Sequence, residues 1–125
     1  MSINAKLDAL PRIPLAHAPT PIERLNNLSG VLGGTLYVKR DDCTGLAMGG
    51  NKARQLEYYF GEALEQHADT VLITGAVQSN FVRMAAAAAA KLGLDCHIQL
   101  EERVGDAGAD YRQSGNVLLD RISGA

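Results

Sequence analysis

The chain has 125 residues, of which 46% are apolar and 21% charged, and its formal net charge at neutral pH is -2. This composition is typical of a soluble globular domain and excludes a disordered chain. The nearly balanced charge, without a block of basic residues, argues against a nucleic-acid partner. No apolar stretch has the length of a membrane-spanning helix, and residues 1–10 lack the hydrophobic segment of a signal peptide, so we expect a cytoplasmic protein with no membrane partner.

The first part of the chain is predicted to be irregular and then helical. Three of the four prolines fall within residues 10–19, which favours an extended lead-in. Thr20, Pro21 and Glu23 have the spacing of a helix capping box, which predicts a helix ending at Gly30. One face of that helix would be buried, through Ile22, Leu25 and Leu28. Two glycines then lead into a predicted strand over residues 36–39.

The second part alternates helices and strands. Apolar residues recur at helical spacing after Lys52, which predicts an amphipathic helix that ends near His67. A strand over residues 71–74, a helix over 79–92 that contains six consecutive alanines, and a strand over 96–100 follow. After a loop over residues 102–110, the apolar residues Val117, Leu118 and Ile122 predict a last helix. This order predicts an α/β unit with parallel strands and right-handed crossovers.

A polar, glycine-rich loop over residues 40–51 forms the first candidate site, and it leads directly into Lys52. Gly49 and Gly50 allow the backbone to approach a ligand closely. Lys52 opens a predicted helix, where the positive end of the helix dipole favours the neutral amine that attacks an aldehyde. The spacing is also that of an ordinary surface lysine after a glycine turn, and both interpretations stay open.

The second candidate site, Gln78-Ser79-Asn80, lies between a predicted strand and the next predicted helix. Ligands gather at the carboxyl ends of strands in open α/β sheets, and free N–H groups at a helix start bind carboxylate or phosphate. Ser79 and Asn80 would add a hydroxyl and an amide. Ser79 is equally well explained as a simple helix N-cap.

Other chemistries find no support in the motifs. The second site has none of the patterns typical of serine hydrolases, dinucleotide-binding proteins or P-loop enzymes. Asp41 and Asp42 are adjacent and would point to different faces of an extended segment, so we do not expect a pair of carboxylates that acts as acid and base. The scattered cysteines and histidines lack the spacing of metal ligands, and we expect no metal site.

Three segments in combination resemble the pyridoxal-phosphate enzymes of the D-cysteine desulfhydrase and aminocyclopropane-carboxylate deaminase family. They are Lys-Arg-Asp-Asp-x-Thr-Gly-Leu over residues 39–46, Gly-Gly-Asn-Lys-x-Arg-x-Leu-Glu over 49–57, and Gln-Ser-Asn over 78–80 before the alanine-rich helix. The resemblance spans nearly the whole chain. Two later segments, residues 96–101 and 115–121, look most similar to the L-cysteate sulfo-lyase branch of this family.

The resemblance implies an α/β fold of the tryptophan-synthase-β-like type, fold type II among pyridoxal-phosphate enzymes. Residues 1–49 would belong to the large domain and residues 50–125 would form most of the small domain. The remainder of the large domain, with the family's glycine-rich phosphate-binding loop, is expected to be absent, so that the fold is truncated after most of the small domain. The family also implies a homodimer.

The resemblance assigns roles to four residues. Lys52 would be the Schiff-base lysine for pyridoxal 5'-phosphate, and Asn80 would bond the phenolic oxygen of that cofactor. Ser79 would face the substrate and relay a proton, and backbone N–H groups of Ser79, Asn80 and Phe81 would hold the substrate carboxylate. Phe81 stands where related members carry histidine or glutamine, and its ring neither donates nor accepts a hydrogen bond.

The implied activity is a β-elimination on a small sulfur-containing amino acid, with L-cysteate giving pyruvate, sulfite and ammonia. The alternatives within the family are desulfhydration of D-cysteine and deamination of aminocyclopropane carboxylate. Two alternatives belong to other classes. One is a non-catalytic truncated fragment with exposed apolar faces, and the other is a small anion-binding module in which Lys52→Ala leaves binding unchanged.

Overall fold

A computed structural model describes residues 2–125. Over that range the chain forms six α-helices and four strands, and the strands make two separate two-stranded sheets. In chain order the elements are α1 (Ile3–Asp8), β1 (Ile22–Arg24), α2 (Asn26–Leu32), β2 (Tyr37–Lys39), α3 (Lys52–Glu65), β3 (Thr70–Ala76), α4 (Asn80–Leu92), β4 (Asp95–Glu101), α5 (Ala109–Gln113) and α6 (Gly115–Ile122), with two short 3-10 turns, Asp41–Thr44 and Leu46–Met48, between β2 and α3.

The predicted capping box at Thr20 is wrong. Residues 22–24 form strand β1, which pairs antiparallel with β2 so that Ile22 lies opposite Lys39. The backbone groups that a helix would have satisfied locally are satisfied by the neighbouring strand instead. The hydroxyl of Thr20 donates to the Asp41 carboxylate, 2.9 Å away, and does not cap a helix. A local signal was outweighed by pairing with a distant segment.

The helix in this region starts later and ends later than expected. Helix α2 begins at Asn26 and ends at Leu32, and the residue that caps it, Gly33, adopts the left-handed conformation. The predicted apolar stripe is not buried, since Ile22 is 67% and Leu28 46% exposed. The buried residue of α2 is Ser29, whose hydroxyl accepts a hydrogen bond from the Leu36 N–H at 3.0 Å. The strand expected over residues 36–39 is confirmed at β2.

The βαβ unit is confirmed. Strands β3 and β4 are parallel and in register from Thr70 opposite Asp95 to Ala76 opposite Glu101, and α4 connects them. The helix lies close to the sheet, because a Cβ on Gly75 would come within 2.7 Å of the Val82 side chain. The alanines Ala85, Ala88 and Ala89 share the core with strand residues of β3 and β4, as expected for a helix packed closely on a sheet.

The core lies between α3, α4 and the segment that precedes β1. The amphipathic helix predicted after Lys52 is confirmed as α3, and the alanines of α4 pack against its apolar face. The buried cluster consists of Leu15, Ala53, Leu56, Phe60, Met84, Ala85, Ala88 and Ala89. Small side chains on α4 let the two helices approach, and the larger side chains come mainly from α3.

The last part of the chain adds two helices, of which α6 packs on α4 and α5 packs on α6. The loop predicted over residues 102–110 gives way at Ala109 to the short helix α5, which the sequence pattern did not indicate. The last predicted helix is confirmed as α6, with Val117 and Asp120 buried. Over residues 2–125, no helix combines the length and the apolar character that crossing a bilayer requires.

Candidate active site

The turn before Lys52 has a backbone that only glycine can supply. Gly49 and Gly50 have φ values of 77° and 136°, and a Cβ on Gly49 would lie 1.8 Å from the Asp42 carbonyl oxygen. The buried hydroxyl of Thr44 accepts from the Gly50 N–H and donates to the Gly50 carbonyl, both at 2.8 Å. Thr44 therefore bonds both backbone polar groups of Gly50, in the turn that leads to Lys52 at the start of α3.

A network of charged side chains stabilises the same loop. Asp41 accepts hydrogen bonds from Arg54 Nε and Nη2 at 2.9 and 2.8 Å and from the Thr20 hydroxyl. The Arg54 and Thr20 hydrogen bonds lower the pKa of Asp41 to about 2. Asp42 instead pairs with Arg40. The two adjacent carboxylates thus face different partners, and Asp41 has a structural role.

Glu57 anchors the extended segment to α3. Its buried carboxylate accepts from the N–H groups of Leu15 and Ala16 at 3.0 and 2.9 Å, and from Arg12 Nε at 2.7 Å. Burial disfavours the charged form, but the hydrogen bonds from Ala16, Arg12 and Leu15 outweigh it, and the pKa of Glu57 is lowered. A glutamate next to Leu56 on the buried side of a predicted helix was the sequence signal for this role.

Lys52 is the first residue of α3 and is partly buried. The residue before it, Asn51, occupies the N-cap position without making a side-chain capping bond. Its neighbour Ala53 is fully buried in the core. The lysine therefore stands at the rim of the core, at the end of the glycine turn, as the sequence predicts.

Ser79 and Asn80 occupy the start of α4. Ser79 is the N-cap, and its hydroxyl oxygen accepts from the Val82 N–H at 3.3 Å, which confirms the capping interpretation. The N–H groups of Asn80 and Phe81 make no hydrogen bond to another segment of residues 2–125. Asn80 is exposed. This helix start therefore presents free donors.

Phe81 directs its ring away from these donors into an apolar cleft. The ring packs edge-to-face on Tyr59, with 6.4 Å between centroids and planes at 85°. The cleft has a volume of about 130 Å³ and is lined by Leu56, Tyr59, Phe60, Val71, Ile73 and Phe81. The side chain of Phe81 belongs to the packing between α3, β3 and α4, and only its backbone lies at the helix start.

The structure brings the two predicted sites together. Arg83, one turn into α4, donates from Nη2 to the Gly49 carbonyl at 3.2 Å. Met84 follows it, and its sulfur lies 3.2 Å from the position that a Cβ on Gly50 would take. The glycine turn therefore rests on the first turn of α4. Lys52 and Ser79 consequently lie at the starts of two helices that pack against each other.

Asn116, a residue for which the sequence motifs predicted no role, also contacts this site. Its Nδ2 lies 3.1 Å from Asn80 Oδ1 and 2.8 Å from the Gln78 carbonyl oxygen. The glycine just before it was one sequence signal for this contact. Gly115 has a φ of 60°, and its Cβ position lies 2.5 Å from Gln78 Oε1. Tertiary packing of α6 on α4 creates this contact.

The sequence model of the family described as "Pyridoxal-phosphate dependent enzyme" matches residues 13–125. The chain belongs to this family. The matched range includes the glycine turn, Lys52 and the start of α4. The predicted resemblance is confirmed, and the family's cofactor is the one that the sequence motifs implied.

Curated relatives share half of the sequence. The chain is 50% identical over 119 residues to a D-cysteine desulfhydrase of Yersinia pestis, covering 95% of this chain and 36% of the relative. It is 51% identical over 113 residues to the D-cysteine desulfhydrase of Salmonella paratyphi B, covering 90% and 34%. The chain thus spans about a third of the length of these relatives. Their names match one of the predicted alternatives, D-cysteine, and not the L-cysteate that was expected first.

A solved structure confirms the fold. The chain superposes on the crystal structure of an ACC deaminase homologue with a TM-score of 0.84 at 44% sequence identity, covering 99% of this chain and 37% of that one. The predicted α/β fold class, the tryptophan-synthase-β-like fold of this family, is therefore confirmed.

Proposed function

We propose that this chain forms the lysine-bearing and carboxylate-binding part of a pyridoxal-phosphate-dependent lyase that acts on a small sulfur-containing amino acid. The observation that carries the proposal is the Arg83 hydrogen bond to Gly49, because it holds the turn before Lys52 against the helix that begins at Ser79. In this proposal residues 1–49 belong to the large domain, residues 50–125 form most of the small domain, and the enzyme is a homodimer.

The donor set fits the cofactor. Lys52 supplies an amine for the aldehyde, and the exposed amide of Asn80 supplies an N–H donor for the phenolic oxygen. The free N–H groups at the start of α4 supply the fixed donors that a substrate carboxylate requires. No cation is needed for the carboxylate, since the positive end of a 13-residue helix already favours an anion there.

The bound cofactor would supply an electron-accepting ring, which stabilises the charge left when the substrate loses its α-proton. Lys52 Nζ would attach the cofactor and, when free, take the α-proton as general base. The Ser79 hydroxyl keeps its own hydrogen while its oxygen accepts from Val82, so it can pass a proton on the substrate side. The backbone N–H groups of Asn80 and Phe81 would orient the carboxylate. Once the β-substituent has left as sulfide or sulfite, water would hydrolyse the remaining enamine to pyruvate and ammonia.

We propose D-cysteine as the substrate to test first, because the curated relatives carry that name. L-cysteate, the first expectation from sequence, carries a sulfonate and therefore a second fixed negative charge that calls for a further cationic contact. The guanidinium of Arg83, which contacts the glycine turn, already donates to the Gly49 carbonyl. Aminocyclopropane carboxylate is the third candidate, because the similar solved structure is that of an ACC deaminase homologue.

The test is covalent labelling of the purified 125-residue chain. Pyridoxal phosphate is added, the absorbance spectrum is recorded, the adduct is reduced with borohydride, and the labelled peptide is identified by mass spectrometry. Lys52→Ala is compared with Lys91→Ala, a matched control that removes an exposed lysine from the last turn of α4.

We expect label on Lys52 in the wild type and the Lys91→Ala variant, and none at this site in Lys52→Ala. Release of pyruvate from D-cysteine or L-cysteate, and of 2-oxobutanoate from aminocyclopropane carboxylate, then ranks the substrates. Equal labelling of all three proteins would overturn the proposal. If inorganic phosphate also bound equally to wild type and Lys52→Ala, the chain would instead be an anion-binding module.

A further inference from the structure

The side chain of Gln78 joins the start of α4 to the start of α6. Its Nε2 donates to the carbonyl oxygens of Tyr111 and Ser114 at 2.6 and 3.0 Å, and its Oε1 accepts from the Asn116 N–H at 2.8 Å. Because both carbonyls are acceptors only, the nitrogen of this amide must face them. Backbone groups therefore decide the orientation of Gln78.

The orientation of Asn116 is decided in the same way. Its amide faces the Gln78 carbonyl oxygen at 2.8 Å, an acceptor, so the facing atom must be Nδ2. An amide nitrogen carries two hydrogens, and the second one is directed to the side chain of Asn80 at 3.1 Å. Asn116 therefore presents a donor, and not an acceptor, to Asn80.

This chain of constraints ends at Asn80. Facing a donor, its amide must turn Oδ1 toward α6, which leaves Nδ2 on the opposite side. An isolated exposed asparagine would sample both orientations of its amide, and only one of them offers an N–H donor at a given place. Fixing one orientation in advance lowers the entropy cost of donating to a ligand.

We propose that Asn116 is a positioning residue, which fixes the amide of Asn80 so that its NH2 group is presented to the phenolic oxygen of the bound cofactor. The identity of the acceptor rests on the proposed function, whereas the orientation of Asn80 does not. Gln78 supports Asn116 through the carbonyl and the Oε1 contact, and Gly115 gives Gln78 the room to do so.

The first measurement needs no cofactor. In the isotope-labelled wild-type chain, the hydrogen bond predicts a scalar coupling across it between Asn116 Nδ2 and the side-chain carbonyl carbon of Asn80. In Asn116→Asp, which keeps the shape but replaces the donor with acceptors, we expect the Asn80 amide to reverse and its NH2 resonances to shift. Absence of the coupling in the wild type, or unchanged Asn80 resonances in the variant, would overturn the orientation.

The second measurement uses the protein loaded with pyridoxal phosphate. In Asn116→Asp and Asn116→Ala, the phenolic oxygen should lose an N–H donor. The pKa read from the absorbance of the lysine-bound cofactor should then rise by about one unit, which is a tenfold change in the proton equilibrium. Asn27→Asp, at an exposed asparagine of α2, is the matched control and should leave the titration unchanged. A purely structural role would lower the melting temperature without moving this titration.

The two measurements separate the two proposals. If the wild type forms no lysine-bound cofactor, the proposed function fails, and the coupling still decides whether Asn116 orients Asn80. If the cofactor binds Lys52 and the titration is the same in wild type and both Asn116 variants, the positioning role is overturned and the proposed function survives. A shifted titration together with the wild-type coupling supports both.

Discussion

The guanidinium of Arg83 donates from Nη2 to the carbonyl oxygen of Gly49 at 3.2 Å, across 34 positions of sequence. The bond ties the first turn of α4 to the glycine turn that precedes Lys52. Arg83 Nε is buried and has no hydrogen-bond partner within residues 2–125. A buried donor without a partner costs free energy, so the guanidinium is kept in this place at a cost.

Replacing Arg83 should loosen the glycine turn more than it destabilises the fold. We expect Arg83→Met to lower the free energy of unfolding by no more than about 1 kcal/mol, because removal of the unpaired Nε donor offsets part of the cost of losing the hydrogen bond. Labelling of Lys52 by pyridoxal phosphate should slow in the same variant. Arg121→Met, at an exposed arginine of α6, is the control. Unchanged labelling kinetics in Arg83→Met would show that the contact does not hold the turn.

The glycine turn provides a sharper pair of variants. Gly49→Ala places a Cβ 1.8 Å from the Asp42 carbonyl oxygen in a backbone with positive φ, so the turn cannot persist. We expect a loss of more than about 2 kcal/mol of stability in denaturant unfolding and no labelling of Lys52. Gly30→Ala, inside α2 with nothing within 4 Å of the added carbon, should stabilise by about 0.5–1 kcal/mol. Equal effects of the two variants would contradict the turn geometry.

The burial of Asp120 leads us to expect that the stability of the fold depends on pH. Both of its carboxylate oxygens are buried and lack a hydrogen-bond partner in the described part of the chain. Burial raises the pKa of Asp120 although Arg83 opposes the shift, and burial together with Asp120 raises the pKa of the Cys96 thiol. Because the folded state holds the Asp120 proton more tightly than the unfolded chain, its contribution to stability falls as pH rises from the unfolded to the folded pKa.

Asp120→Asn should therefore raise the melting temperature at neutral pH, and the gain should shrink as the pH is lowered to where Asp120 is protonated. An effect of about 1 kcal/mol corresponds to a few degrees in a chain of this size. Asp110→Asn, at an exposed aspartate of α5, should show no such trend. A gain in Asp120→Asn that is independent of pH would rule out the titration of Asp120 as its cause.

Glu57 predicts the opposite pH trend. Its pKa is lowered in the folded state, so the stability it contributes is present above the pKa of an unfolded glutamate and is lost as pH falls through the folded value. Glu57→Gln should lower the free energy of unfolding by about 1–3 kcal/mol at neutral pH. The ion pair with Arg12 is lost, and an NH2 group replaces one of the carboxylate oxygens that accept hydrogen bonds. The difference from wild type should diminish in acid. A constant difference across the titration would contradict this assignment.

Phe81 and Tyr59 form a pair whose coupling is measurable. The edge-to-face contact predicts a coupling energy of about 1 kcal/mol in a double-mutant cycle of Phe81→Ala, Tyr59→Ala and the double variant. Labelling of Lys52 should survive in Phe81→Ala, because the ring faces the apolar cleft and only the backbone lies at the helix start. Additive destabilisation would mean that the rings do not interact, and abolished labelling would place the ring at the site.

The sequence by itself determined the elements whose signals are periodic and local. Helix α3 follows from the spacing of its apolar residues, and α4 from Ser79 at the N-cap and Gly93 at the end of the alanine-rich helix. The helix–strand order likewise determined the parallel pairing of β3 with β4. The motifs around Lys52 and Ser79 determined the family, since they are contiguous segments whose residue types are visible without a fold.

Contacts between segments that lie far apart in the sequence were decided by the tertiary structure alone. The capping box at Thr20 failed because β2 offered residues 22–24 a strand partner and Asp41 offered the hydroxyl an acceptor. The orientation of Asn80 depends on Asn116, which is 36 positions away and reaches it only when α6 packs on α4. Long-range hydrogen bonds of this kind leave no periodic trace in the sequence, because their partners are set by packing and not by spacing.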